Sequence, residues 1–248
     1  MRRARRLASI VVVASLGLAG LTACRAEPSV AAYVGDTAKV TEARVQEVWD
    51  NASAALTSAA AQQPEASGAA VKLPITRADI VRTLVGHDVM MAVAKRESVS
   101  VPTDLALGDY ASQLRLPQSA EYVRLYAEFD GLIRALRTKV QSSAANATDD
   151  DLREVFDVLT TSGEVPAGTT FEAFKQQLPA ENLTLVKTAA AVKKEVAELT
   201  GTMDITVNPR YQPLGIPVLE FQTQQGELKP LVVVPLGEDK GSPVTDVS

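Results

Sequence analysis

The clearest pattern in the chain lies between Ser119 and about Ala145. There Tyr122, Leu125, Tyr126, Phe129, Leu132, Ile133, Leu136 and Val140 recur at i, i+3, i+4 and i+7. That period predicts a long amphipathic helix whose stripe packs on another helix or receives something. A second long helix is predicted from about Arg77 to Glu97, opened by the capping pair Thr76 and Asp79. Its Ile80, Leu84 and Met91, with Val81, Val85 and Val89, wrap apolar surface over more than half the circumference, as suits a central helix. Thr41 is placed to N-cap an earlier helix, with Glu42 in its first turn and Val45, Val48, Trp49 and Leu56 near one face. That helix fades into the linker-like stretch 62–68. Four more helices are predicted. Thr103 and Asp104 open a short one ending near Leu114, and Thr148 with Asp151 caps one carrying Leu152, Val155, Phe156 and Leu159. Thr169 and Glu172 cap another through Leu178. Pro179 begins a long one with the inner face Leu185, Ala189, Val192, Val196 and Leu199, stopped by Gly201.

Extended patterns occupy the two ends. Val30–Val34 closes at Gly35-Asp36, and Ala38–Val40 returns beside it as a hairpin. Beyond Gly201 the strand candidates are Ile205–Val207, Val218–Phe221 and Leu231–Val234, interrupted by Pro209, Pro213, Pro217 and Pro230. Prolines at that density predict short edge strands and turns. Residues 238–248 read as a disordered tail. The fold class is therefore mainly α with a small β element. Abundant alanine and only 4% aromatic residues suit helices packed through small side chains.

The N-terminus adds a location. Arg2, Arg3, Arg5 and Arg6 precede an uncharged apolar run from Leu7 that ends in Leu21-Thr-Ala-Cys24, the pattern of a secretory signal with a small-residue cleavage site. Cleavage before the only cysteine leaves an N-terminal thiol that can carry acyl chains such as a diacylglycerol and palmitate. Cys24 is thus the expected lipid-attachment residue, with 1–23 as signal peptide and 24–29 as a lipidated tether. A transmembrane helix is the competing reading, and the run sits at the short limit of the roughly 17 to 25 residues that span a bilayer. Two or more acyl chains hold a protein stably on a membrane. The expected localisation is the cell membrane, on its extracytoplasmic face.

Charge and chemistry then remove function classes. Four of the 25 basic residues precede Cys24 and all 30 acidic ones follow it, leaving 21 against 30, a net charge of about −9 beyond the signal. Such a balance argues against nucleic acid as a partner and against a basic clamp on anionic lipid. With one histidine, any triad or histidine metal site has a single possible centre. His87, beside Asp88, reads as a partly buried residue with a hydrogen-bond partner. No G-x-G-x-x-G, Walker loop, G-x-S-x-G or S-x-x-K occurs in the sequence. Asp149-Asp-Asp151 lacks the alternating ligands and glycine of a calcium loop and fits a helix N-terminus. No catalytic residue, metal or cofactor is expected.

The order of elements also resembles a known family. Val30-Ala-Ala-Tyr-Val-Gly-Asp with the helix start after it, Ile80-Val-Arg-Thr-Leu84, Ala94-Lys-Arg-Glu-Ser-Val-Ser-Val101 and Val207-Asn-Pro-Arg-Tyr211 are similar to successive segments of the SurA N-terminal-domain family, most closely its actinobacterial lipoprotein members. The likeness covers residues 30 to about 211. It implies a chaperone-like helical body in which the first strand pairs with a strand after the last helix, so that Val30–Val34 lies beside Met203–Val207. Many relatives insert a parvulin prolyl isomerase domain before the final helix. Here the corresponding stretch, 148–179, is too short for it.

The sequence thus predicts a SurA-like helical domain over 30–211, proline-rich short strands over 212–237, and an anchored, non-catalytic lipoprotein that binds unfolded or secreted polypeptides. Met90, Met91, Tyr122, Tyr126 and Phe129 form the expected peptide-binding surface if the two long helices pack together, since flexible methionine with aromatic walls adapts to varied segments. A stripe at helical spacing is more often ordinary core, which is the competing reading for these five and the direct reading for Leu132, Ile133 and Leu136. Two other functions stay open: a lipoprotein dedicated to one envelope partner, docking through the strands after Tyr211, and a prolyl isomerase.

Overall fold

The computed structural model describes residues 28–36, 38–62 and 72–237. The signal peptide, Cys24, most of the tether, the linker from residue 63 and the tail from residue 238 lie outside the described residues. The described residues are mainly α-helical, with two small antiparallel sheets among them.

Strands β1 (Val30–Val34) and β2 (Ala38–Thr41) form the N-terminal hairpin, turned at Gly35 with φ +60°. Helix α1 (Glu42–Ala61) follows at once, because the Thr41 hydroxyl accepts the Arg44 N–H at 3.1 Å. Helix α2 (Arg77–Arg96) starts from a full capping box between Thr76 and Asp79, and Lys95 and Arg96 complement the dipole in its last turn.

Helix α3 (Leu107–Leu114) begins later than Thr103 and Asp104 predict and has no side-chain cap. The reason lies on helix α4 (Glu121–Val140). Gly131 of α4 leaves room for Pro102 and Leu105 to lie against it, 3.4 and 3.3 Å from where a β-carbon would sit. The segment is spent on that contact before a helix can start. Helix α4 itself has no cap of its own, and Asn51 of α1 accepts the Glu121 N–H at 2.8 Å.

Helices α5 (Asp149–Thr161) and α6 (Phe171–Gln177) follow. The cap of α6 is Thr170 rather than Thr169, whose N–H and hydroxyl both donate to the Pro166 carbonyl and close the preceding turn. Helix α7 (Ala180–Thr200) buries Val186, Ala189, Val192 and Val196. Leu185, expected inside, is 45% exposed, because the first turns of α7 project beyond the body and the buried face is entered one residue later.

Strand β3 (Ile205–Val207) returns to β1, giving the order β2-β1-β3 with Ala32 opposite Val207 and Val34 opposite Ile205. Asn208 reinforces the closure by donating its backbone N–H to Ala31 O at 2.9 Å. In the 3-10 turn Pro209–Tyr211, the Tyr211 hydroxyl donates to Glu42 Oε2 at 2.8 Å and Arg210 meets the other Glu42 oxygen. The chain after α7 is thereby tied to the start of α1.

The last sixth of the chain departs from expectation. Strands β4 (Leu214–Gln222) and β5 (Leu228–Leu236) each run nine residues and pair as one antiparallel ribbon. Both strands of a two-stranded ribbon are edge strands, where proline is tolerated, and the register shifts just after Pro217. Ile216, Val218, Val232 and Val234 are buried in the same apolar cluster as the helices, and the ribbon packs on α7, α5 and α2.

Candidate functional site

Helices α2 and α4 run parallel, since contacts advance together along both: Thr83 with Tyr122, Gly86 with Phe129, Glu97 with Lys139. This is the pairing that brings the methionines to the aromatic stripe. It also closes the seam. Met90, Tyr122, Tyr126 and Phe129 are all buried. Phe129 lies over Gly86, Tyr122 accepts the Thr83 hydroxyl at 3.2 Å, and Tyr126 makes edge contact with both Phe129 and Tyr110. In this structure the four are packed as core, against the neighbouring helix, and present no surface to a peptide.

Met91 is the exception. One residue on from Met90, about 100° around the helix, it stands 38% exposed. With Ala92, Ala94, Lys95, Val99 and Val101 it lines a shallow, largely apolar groove of about 370 Å³ where α2 ends and the chain turns away. Val101 on its far side is 37% exposed. The turn is fixed by Ser98, at φ +53°, and by the Val99 N–H donating to Ala94 O at 2.8 Å. The Val-Ser-Val segment noted in the sequence thus forms one wall of the groove.

A second concave site escaped sequence reasoning. Between α3, α4 and the ribbon lies a polar cavity of about 150 Å³. Tyr126 donates to Glu220 Oε2 at 2.6 Å, Tyr110 donates to Asp130 Oδ2 at 2.6 Å, and Arg134 Nε reaches the same oxygen at 2.5 Å. Burial holds the Glu220 carboxyl above its ordinary pKa, against the opposing effects of the Tyr126 hydrogen bond, Arg82 and Arg137. Burial also lowers the pKa of Arg137, with the like charge of Arg134 adding to it. Burial and their carboxylate partners push Tyr110 and Tyr126 upward, so both remain protonated donors. The pair Asp130 and Arg134, spaced i and i+4, was the available signal in the sequence. Glu220, the partner of Tyr126, is 94 residues further along the chain on a strand.

His87 is partly buried, with Glu128 3.7 Å from Nε2 and Asp88 3.8 Å from Nδ1. Both are longer than a hydrogen bond, so the partner expected from the sequence is at ion-pair range only. Asp151 belongs to the capping box of α5, and Asp149 pairs with Lys175 at 2.7 Å. Among the described residues no group of three or more His, Cys, Asp or Glu is placed to hold a metal ion. Among them, too, no helix is long and apolar enough to cross a membrane. No family model, curated protein or solved structure matches the chain.

Proposed function

We propose that the protein is a lipoprotein anchored through Cys24 to the extracytoplasmic face of the cell membrane, where it holds unfolded or exported polypeptide in a chaperone-like manner without covalent chemistry. The observation that carries this reading is the groove at the end of α2. It offers Met91 and Val101, each more than a third exposed, on one apolar lining beside Lys95, and an extended apolar segment would cover both. The frame is that of a SurA N-terminal-like domain: the resemblance places a strand-paired closure of the chain ends around a helical body, and the β1–β3 pairing is compatible with it. The acidic surface keeps a loaded complex soluble.

A dedicated interaction lipoprotein with one folded envelope partner is the second reading. It is favoured by the closed α2–α4 seam, because a protein whose aromatic stripe is spent on core has little adaptable surface for varied clients. Prolyl isomerisation has the least support.

The test is suppression of aggregation of a chemically unfolded model protein by the chain from Arg25 onward, with an inert acidic protein as control. Suppression near stoichiometric ratio is expected, and it is lost when Met91→Asp and Val101→Asp are combined while circular dichroism stays native. Both positions are surface, so the variant keeps its fold. No suppression at any ratio contradicts the chaperone reading and turns the search to a single partner captured from an envelope extract.

A further inference from the structure

We propose that the polar cavity between α3, α4 and the β4–β5 ribbon is a binding site for a ligand presenting a single carboxylate on a short carbon chain, received by the guanidiniums of Arg134 and Arg137. The inference is independent of polypeptide binding at the Met91 groove.

Arg134 and Arg137 stand at i and i+3 on α4 and line the same cavity. Arg134 is held by Asp130 through Nε, which leaves its two terminal amino groups uncommitted by that bond. Arg137 is only partly exposed, and no hydrogen bond or ion pair joins it to another described residue, the Asp130 and Glu220 carboxylates attracting it only at longer range. A desolvated guanidinium with no bonded partner, next to a second one, is a poor resting arrangement and a good receptor. An anion between them replaces lost hydration with charge-assisted hydrogen bonds and screens their repulsion.

The charge count selects the ligand. Asp130 and Glu220 face the same space, so the cavity carries two positive groups against two acidic ones. A dianion such as phosphate would be repelled by the nearest carboxylates, whereas a monoanion is tolerated. The volume, about 150 Å³, has room for a carboxylate and a few carbons. The apolar part of the wall, Val218 and Leu219, suits the carbon stub, and Gln113 and Leu228 stand exposed at the rim. Either a small free acid or the end of a polypeptide chain supplies this chemistry.

The experiment is titration of the full chain, extracted in detergent, with propionate, reading the arginine Nε–Hε resonances by NMR. Saturable shifts of Arg134 and Arg137 are expected, with none on adding propionamide. Arg137→Gln should weaken binding about tenfold or more. Arg137→Lys, which keeps charge but not the fork, should fall between, and Glu220→Gln should tighten binding by removing a like charge. Binding of an acetylated dipeptide with a free C-terminus, but not of its amide, would assign the site to chain ends, and binding of propionate alone to small acids. Both support the proposal. Absence of a saturable shift, equal affinity in Arg137→Gln, or inorganic phosphate binding more tightly than propionate would overturn it.

Discussion

At position 86 the helix α2 has no side chain, and the Phe129 ring occupies the place where one would begin. A β-carbon there would lie 2.6 Å from Phe129 Cε2, and Phe129 is itself buried. Gly86→Ala should therefore lose about 1–2 kcal/mol in denaturant unfolding. Overpacking at ~1–3 kcal/mol outweighs a helix-propensity gain of up to ~1 kcal/mol. Adding Phe129→Leu should recover part of the loss, and a stabilised Gly86→Ala single variant would contradict the close packing. The same scale separates what a sequence tells from what it hides. The caps at Thr41, Thr76 and Thr148 were legible because capping is local, needing a hydroxyl and at most one acidic partner three residues on. Met90 and Met91 were legible as a pair but not as opposites, since one residue's rotation sends the first inside and the second to solvent.

Among the elements, the ribbon is the one the sequence misjudged. Its prolines look like interruptions in one dimension but are tolerated in edge strands, and once two strands pair each runs nine residues. The ribbon also carries Glu220 toward α4, where Tyr126, Asp130 and Arg137 face it, with Tyr110 and Arg134 around Asp130 and Arg82 approaching from α2. Burial raises the Glu220 pKa above its ordinary 4.5, so its protonated form is favoured by folding. The stability this confers is fully present below the ordinary carboxylate pKa and is lost as pH rises through the raised value. Glu220→Gln keeps an acceptor for Tyr126 and cannot ionise. It should melt at a higher temperature than the parent at neutral pH, with the difference shrinking as pH falls toward 4.5. A difference independent of pH would mean that the carboxyl is not desolvated. Long-range pairs of this kind are invisible in a sequence because nothing in the spacing of Tyr126 and Glu220 ties one to the other.

On the scale of the molecule, the helical pattern fixed which segments are helices, and the resemblance supplied the pairing of Val30–Val34 with the strand after α7, a contact between residues more than 170 positions apart. What neither supplied was whether the apolar seam between α2 and α4 is open or filled. A stripe that packs on a neighbour and a stripe that receives a peptide have the same period, and only the packed coordinates distinguish them. The filled seam moves the proposed contact with polypeptide outward, from the aromatic stripe to Met91 and Val101. Methyl NMR during titration with an unfolded, apolar-rich polypeptide tests that directly. The account predicts saturable shifts at the Met91 and Val101 methyls while Met90 stays fixed; shifts at Met90 would mean that the interior opens to receive the chain, and no shift at either methionine would contradict polypeptide binding by this helix.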